Sequence, residues 1–328
     1  MLRYIAKRLL QMIPMLFLIS VVSFIIIQLP PGSYLNTLIA QMRTQGDEIN
    51  MEQVEALRIR YSLDKPAHIR YLNWIKGIIT EGDFGFSFEW NRPVKTLIWE
   101  RLALSLTVSV SSLLFSWIIA FPIAIYSAVK KHSVADYSLT FMGFLGLSVP
   151  NFMLALILMY IASVYFKFSV GGLFSPDYVM APWSFGKFVD LLKHLWVPMI
   201  VIGMAGTAGL IRVLRNNLLD ELEKPYVVAA RSKGISPVRL IFKYPVRLAL
   251  IPFVSTVGWQ LPQMLSGEAV TATVLSLPTA APLLLGALRS QDMYLAGSFL
   301  LLLSCLTMIG TLISDILLVI VDPRIRYE

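Results

Sequence analysis

Six long apolar runs constrain the fold of this chain more than any other feature of its sequence. A helix needs roughly 20 predominantly apolar residues to cross the hydrocarbon core of a membrane. Runs of this length occupy residues 9–29, 102–128, 138–165, 195–214, 248–275 and 295–320. Their only charged residues are Arg212, Glu268 and Asp315. The runs predict an all-α membrane protein with six transmembrane helices.

The composition excludes the main alternatives to a membrane protein. Only 15% of the 328 residues are charged, whereas soluble domains carry about 25%. A hydrophobic fraction of 56% also excludes intrinsic disorder. The single cysteine, Cys305, rules out a disulfide framework and a thiolate metal cluster. The net charge is +8. The basic residues are distributed as the orientation of a membrane protein requires, as described next, and this distribution disfavours nucleic-acid binding.

The lysine and arginine residues predict the orientation of the chain. If the N-terminus is cytoplasmic, the inner segments contain 15 Lys and Arg residues and the two short outer segments contain 4. The long outer segment, residues 30–101, exceeds the length over which this rule applies, and its 9 basic residues are matched by 9 acidic ones. Basic residues accumulate on the cytoplasmic side of membrane proteins. Both termini are therefore predicted to be cytoplasmic.

The spans divide the chain into three parts. Residues 1–29 form an N-terminal segment and the first span, which is too long for the apolar part of a signal peptide. Residues 30–101 form a large extracytoplasmic helical region, either a cap resting on the outer leaflet or a dock for an external partner. Residues 102–328 form the core domain with spans two to six and a cytoplasmic loop at 216–247.

The cytoplasmic loop 216–247 contains two short predicted helices. Pro225 suits the first position of a helix, and Gly234 suits the position just after its end. Ser236 and Pro237 then provide the cap and first position of a second helix. These residues therefore predict where both short helices begin and where the first one ends. A basic segment that only rests on the lipid headgroups would not need such defined helix ends.

The first of these helices has a small, mildly apolar face. Tyr226, Ala229 and Ala230 form this face, and so short a helix is marginal on its own in water. We expect the face to complete its packing against another subunit. The alternative, a basic segment held at the headgroups, explains Arg231 and Lys233 but leaves the two alanines without a role.

The same residues resemble the EAA loop of ABC-transporter permeases, whose core is Glu-Ala-Ala, three residues and Gly. Here the pattern is Ala229-Ala230, three residues and Gly234, with Val228 in place of the glutamate. The local sequence is similar to the dipeptide, oligopeptide and nickel branch, in the subunit of DppB or OppB type. Further matching patterns occur in order at the N-terminus and at residues 82–87, 92–94, 147–150 and 322–326.

The resemblance implies a MetI-like, six-helix permease of a binding-protein-dependent ABC importer in a bacterial or archaeal inner membrane. It implies a second permease subunit, two cytoplasmic ATPase subunits and an external substrate-binding protein as partners. The coupling helix that docks on an ATPase would carry Tyr226, Ala229, Ala230, Arg231, Lys233 and Gly234. This chain would hold no cofactor, since ATP and Mg²⁺ would be bound by the ATPase subunits, and it would not be an enzyme.

The substrate class is left open by the resemblance. The branch transports di- and oligopeptides, but residues 272–282 depart from the motif that many members carry after the fifth span. This variant is similar to a sub-branch associated with oligosaccharide uptake, which is the alternative to peptides. Glu268, deep in the fifth predicted span, either lines the translocation path or fixes the packing of two helices by a hydrogen bond.

Two unrelated classes of function are disfavoured. A secondary transporter would show inverted repeats and a charged midplane site, and no repeat is evident. An intramembrane aspartyl protease would need two facing acids, and Glu268 and Asp315 lie at different predicted depths. The chain also lacks the P-loop and the His-Glu-x-x-His metal motif.

Overall fold

The computed structural model describes residues 2–28, 65–87, 89–167, 171–255 and 269–321, together with residues 258, 260 and 263. Over these residues the chain is helical, and its only β-type pairing is an isolated bridge between Phe86 and Pro93. The predicted site residue Glu268 lies outside the described residues, as does most of the N-terminal half of the predicted outer region.

The described helices are α1 (Leu2–Gln28), α2 (Ala67–Glu81), α3 (Val94–Val129), α4 (Val134–Ser148), α5 (Asn151–Phe166), α6 (Pro176–Val179), α7 (Phe185–Leu222), α8 (Pro225–Ser232), α9 (Pro237–Lys243), α10 (Pro245–Ala249), α11 (Ile251–Ser255), α12 (Ala269–Val274), α13 (Ala280–Arg289) and α14 (Met293–Val321).

Four of the described helices are long and apolar enough to cross a membrane. They are α1, α3, α7 and α14, which correspond to the first, second, fourth and sixth predicted spans. Many of their apolar side chains are exposed, including Leu10 at 67% and Ile118 at 72%. Apolar surface of this kind is typical of helices that face lipid.

The third predicted span is two helices and not one. The prediction of a single helix over 138–165 is wrong because α4 ends at Ser148 and α5 begins at Asn151. Between them Val149 is extended, with φ −92° and ψ 122°. Proline disfavours helical backbone in the residue before it, and Pro150 follows Val149 directly.

The fifth predicted span, 248–275, also differs from one continuous helix where it is described. Its first part is divided between α10 and α11, with Leu250 at the junction. Its last part forms α12. Most of the intervening residues lie outside the described part of the chain.

The chain divides into two compact units. The first comprises residues 1–5, 104–278 and 306–328, and the second comprises residues 6–103 and 279–305. In the second unit, the start of α3 packs against α13 and α14 through a cluster that includes Leu97, Leu283 and Phe299. A further cluster of this unit joins α1, α2 and Met293.

In the first unit, α7 is the central helix. Its first half packs with α3, α5 and α12 in a cluster that includes Val108, Ala155, Val201 and Ala272. Its second half packs with α3, α10 and α11 around Leu214 and Phe253. The buried side chains of α7 therefore extend over most of its length and organise this unit.

The helices α3 and α7 approach closely at Gly203. Ser116 Oγ donates hydrogen bonds to Ser112 O at 2.9 Å and across the helix pair to Gly203 O at 2.6 Å. A Cβ atom at position 203 would lie 2.7 Å from Phe115 Cδ1 and 3.0 Å from Ser112 O. Small residues at such crossings allow backbones to meet in a membrane, where lipid supplies no hydrophobic drive for association.

We expect Gly203→Ala to lower the free energy of unfolding by about 1–3 kcal/mol, because the added methyl group overlaps neighbouring atoms. Gly206, on the same helix, has no atom within 4 Å of its Cβ position. Gly206→Ala should therefore be neutral or stabilising by up to about 1 kcal/mol. Thermal unfolding of the purified variants in detergent tests this. Equal melting temperatures for the two variants would contradict the proposed crossing.

Candidate functional site

Residues 216–222 of the predicted cytoplasmic loop 216–247 continue α7, which ends at Leu222. The remaining residues, 223–247, fold as short helices, and we call them the coupling segment. The helix α8 begins at Pro225 and α9 begins at Pro237, as the sequence predicted. Both prolines lie at the first position of their helices, where the missing N–H is not needed for helical hydrogen bonding. The segment therefore contains two short helices, each of which begins at a proline.

The end of α8 depends on a glycine. Gly234 has a φ of +73°, a left-handed conformation that glycine adopts without strain. Its N–H donates to Arg231 O at 3.0 Å. The Cβ position of Gly234 has no atom within 4 Å, so backbone conformation, and not space, requires glycine here.

The inner face of α8 packs on the coupling segment itself. Val227 is fully buried, Ala230 is 8% exposed, and both pack against Leu240 of α9. Tyr226 and Tyr244 pack against the edge of this cluster. The cluster makes α8 and α9 a unit with its own small core.

The outer face of α8 is exposed. Val228 is 54% exposed, and Ala229, Arg231 and Ser232 are exposed as well. The structure thus divides the predicted face, because Ala229 points outward while Ala230 points into the chain. Adjacent helical residues are about 100° apart, so one helix face cannot carry both equally.

Tyr226 fastens the start of α8 to the end of α7. Its hydroxyl donates a hydrogen bond of 2.5 Å to Glu221 Oε2. Burial, together with this hydrogen bond to a carboxylate, raises the pKa of Tyr226. The phenol therefore stays protonated at neutral pH and acts here as a hydrogen-bond donor.

The side of α8 next to α9 and α10 opens into a cavity with basic walls. The cavity has a volume of about 700 Å³, and Lys233, Lys243 and Arg247 contribute to its lining. Arg247 Nε donates to Val321 O at 2.9 Å and Arg247 Nη2 to Ile320 O at 3.3 Å. An exposed small-residue face beside a basic cavity suits contact with a protein that carries acidic groups.

A buried ion pair lies where α3, α4 and α7 come together. Arg215 Nη2 donates to Asp136 Oδ2 at 2.8 Å, and Arg215 Nε donates to Asp136 Oδ1 at 3.0 Å. The Asp136 side chain is 3% exposed and also accepts hydrogen bonds from Ser127 Oγ and from the backbone N–H of His132. The hydrogen bonds from the Arg215 guanidinium in particular hold the pKa of Asp136 well below its usual range.

Sequence reasoning missed this ion pair and the Glu221 acceptor. Ser133 caps α4 by accepting from the backbone N–H of Asp136, so a Ser-x-x-acid capping pattern was available as a local signal. Nothing in the sequence connects Asp136 to Arg215, which is 79 positions away. Within the described residues no group of three or more His, Cys, Asp or Glu residues could hold a metal ion.

Two protein families match the chain, and together they cover nearly all of it. Residues 120–327 match the family described as binding-protein-dependent transport system inner membrane component. Residues 1–111 match the N-terminal family of the same transport-system membrane components.

Similar proteins match over their full length. The oligopeptide transport system permease protein AppB of Bacillus subtilis is 33% identical over 326 residues, covering 99% of this chain and 99% of AppB. The dipeptide transport system permease protein DppB of Escherichia coli is 28% identical over 344 residues and is covered completely.

A solved structure has a similar fold. It is an inward-facing conformation of the MetNI methionine ABC transporter, with a TM-score of 0.53 and 15% sequence identity, and the match covers 70% of this chain and 97% of the other. Together with the family matches, this supports a MetI-like fold. The chain therefore belongs to the family of binding-protein-dependent transport system inner membrane components, as a multi-pass permease subunit of an ABC importer.

Proposed function

We propose that this chain crosses the inner membrane six times with both termini in the cytoplasm. The four long apolar helices would provide four crossings, and α4 with α5 and the region of α10 to α12 would provide the other two. Residues 1–29, 30–101 and 102–328 would then form the first span, the extracytoplasmic region and the core permease domain. The excess of basic residues in the inner segments supports this orientation.

We propose peptides as the substrate class. The relatives that match over their full length are named as oligopeptide and dipeptide transport permeases, which favours peptides over oligosaccharides. The chain would form half of the translocation path, with a second permease subunit forming the other half. An external binding protein would deliver the substrate, and Glu268 is proposed to lie along this path.

The coupling segment is the proposed contact with the ATPase subunits. Its α8 would dock on an ATPase through the outer face of Val228 and Ala229, with Arg231, Lys233 and Gly234 at the end of the helix. Tyr226 and Ala230 would hold α8 in place from within the chain. ATP and Mg²⁺ would be bound and ATP hydrolysed by the ATPases, whose closure would move the coupling segments and open the permease pair outward.

The exposed outer face of α8 is the observation that carries this proposal. A short helix whose inner face is satisfied by Val227, Ala230 and Leu240 has a defined position before any partner binds. Its exposed Val228 and Ala229 are small enough for close approach by another surface. A helix that is ordered in advance loses less conformational freedom on docking, which favours tight association.

Ala229→Glu is the decisive variant for this contact, and Val238→Glu is its control. Ala229 and Val238 are both exposed on neighbouring short helices, so neither change disturbs a core. A charge buried at the centre of an interface costs about 2 kcal/mol or more, which is about a 30-fold loss of affinity. We expect Ala229→Glu to lose the co-purifying ATPases and ATP-driven peptide uptake in proteoliposomes.

The control should retain both the ATPases and uptake, because Val238 lies on α9 and outside the proposed docking face. Full ATPase recovery with Ala229→Glu would show that α8 is not the contact. Ala230→Glu is less informative, because Ala230 is buried and its replacement would disrupt the coupling segment itself.

A further inference from the structure

A groove runs between α4 and α7 at their predicted cytoplasmic ends, and no step of the proposed transport uses it. It has a volume of about 330 Å³, within the range of small-molecule sites. The two helices supply facing walls. The α4 wall includes Leu139, Thr140 and Gly143, and the α7 wall includes Ala208, Ile211 and Arg212.

The groove changes from polar to apolar along its length. His132, Asp136, Arg215 and Asn216 line its cytoplasmic mouth, while Gly143 and Ala208 line its other end. Seven residues separate Asp136 from Gly143 on α4, which is about 10 Å along a helix. The groove therefore has a charged mouth and an apolar interior about 10 Å apart. This is about the distance between a lipid headgroup and the upper part of its acyl chain.

The mouth carries an uncompensated positive charge. The carboxylate of Asp136 forms an ion pair with Arg215. Among the described residues no carboxylate pairs with Arg212. Arg212 is exposed, and Lys130 and Lys131 are exposed in the turn just before α4. An anionic group at the mouth would therefore face net positive charge and not compete with an existing ion pair.

Small residues provide the room at the apolar end. Gly143 lies opposite Ala208, and a Cβ atom on Gly143 would be in ordinary contact with Ala208 Cβ at 3.5 Å. Leu139 and Ile211 form apolar walls between this end and the mouth. A soluble anion would leave this apolar part of the groove unused, whereas an acyl chain would fill it.

We propose that the groove between α4 and α7 binds an anionic phospholipid of the inner leaflet, with its phosphate at Arg212 and an acyl chain against Ala208. The proposal goes beyond transport and rests on the cytoplasmic orientation of this end of α7. Basic pockets between transmembrane helices on the cytoplasmic side recognise anionic headgroups by charge. The bound lipid would fill the space between α4 and α7 next to the Asp136–Arg215 ion pair.

The test measures which lipids stay on the intact transporter. The complex is reconstituted in nanodiscs of phosphatidylethanolamine with a minor fraction of phosphatidylglycerol, released into mild detergent, and analysed by native mass spectrometry. Wild type should retain phosphatidylglycerol in preference to phosphatidylethanolamine. Arg212→Gln should reduce that preference about fivefold, the effect of one basic residue near a membrane surface.

A second variant and a control separate charge from shape. Ala208→Phe fills the apolar end without changing charge and should also reduce retention of phosphatidylglycerol, while Arg239→Gln changes an exposed arginine of α9 and should have no effect. An excess of inorganic phosphate should not displace the lipid. These results together would support an anchored phospholipid.

Several results would overturn the proposal. Retention that is unchanged in both groove variants, or reduced equally by Arg239→Gln, would show that the groove does not select the lipid. Displacement by inorganic phosphate as effective as Arg212→Gln would assign the mouth to a soluble anion. Cross-linking of cysteine-substituted Leu139 to a second permease subunit in the wild-type complex would show that protein fills the groove. None of these readouts depends on ATPase docking.

Discussion

Arg215→Ala is expected to lower the free energy of unfolding by about 3–5 kcal/mol, because it leaves a buried carboxylate without its partner. The Asp136 side chain is 3% exposed and the Arg215 side chain 20% exposed, so water can replace the lost guanidinium only in part. Ser127 and the backbone N–H of His132 would remain as donors, but they carry no compensating charge. Thermal and denaturant unfolding of the purified variant in detergent measures the loss.

The chain offers a matched pair as a control. Arg92 Nη2 lies 2.7 Å from Glu100 Oε1, but these two side chains are 45% and 48% exposed. Arg92→Ala should therefore cost between 0 and about 1 kcal/mol. Combining Arg215→Ala with Asp136→Asn should recover part of the lost stability, since the unpaired charge is removed. If Arg215→Ala and Arg92→Ala lowered the free energy of unfolding equally, burial would not determine how much each ion pair stabilises the fold.

The pH dependence of this effect follows from the lowered pKa of Asp136. A carboxylate with a pKa below its unfolded value, about 3.9, stabilises the fold at every pH above that value. The stabilisation is lost only as the pH falls through the still lower pKa of the folded state. The contribution of this carboxylate to the stability of the wild-type protein should therefore be constant between about pH 5 and pH 8, as measured by unfolding at several pH values in detergent.

Gly310→Val is expected to lower the free energy of unfolding by about 3 kcal/mol, because it forces two backbones apart. A Cβ atom at position 310 would lie 2.6 Å from Gly258 O. A Cβ atom at position 258 would in turn lie 2.9 Å from Thr311 Cα. The overlapping atoms belong to the backbone, so a change of side-chain rotamer cannot relieve the clash.

The yield of monodisperse protein after extraction, and its melting temperature, report this loss. Gly258→Ala should show the same defect, and the double variant should be less damaging than the sum, since both changes act on one contact. Gly206→Ala, on α7, serves as the tolerated glycine substitution. Normal yield and stability for Gly310→Val would show that the two glycines are not in contact.

Local patterns predicted the elements whose structure depends on local chemistry. Hydropathy predicted six membrane spans, and four of them match the long apolar helices, because a membrane span needs length and apolar composition more than any particular partner. Pro225, Gly234 and Pro237 predicted the boundaries of α8 and α9, since proline and glycine act on their own backbone. The four long apolar helices and the boundaries of α8 and α9 are confirmed in the structure.

Features that depend on packing were not predictable in the same way. Pro122 and Pro198 lie inside continuous helices, whereas Pro150 lies at a break between two helices. The presence of a proline alone therefore does not predict whether a helix is interrupted. The inward position of Ala230 depends on Leu240 of the next helix. The contact of Gly258 with Gly310 and the pairing of Asp136 with Arg215 join residues that are distant in sequence, which periodicity cannot reveal.

The hydrogen bonds of Arg247 determine how stiff the connection is between the coupling segment and the last long helix. Only Tyr244 separates α9 from α10, and its N–H is bonded to Leu240 O at 3.2 Å. From α10, Arg247 holds the two final carbonyls of α14. From the end of α11, Val254 O accepts from Ser314 Oγ at 2.9 Å.

Short helices whose junctions are held by hydrogen bonds have few free backbone torsion angles that could absorb a displacement. A push on α8 is therefore delivered to α14 as motion of a connected body, with little loss at the joints between them. The last described helix, which has no direct part in the proposed ATPase contact, would then move together with α7, to which Tyr226 holds the start of α8.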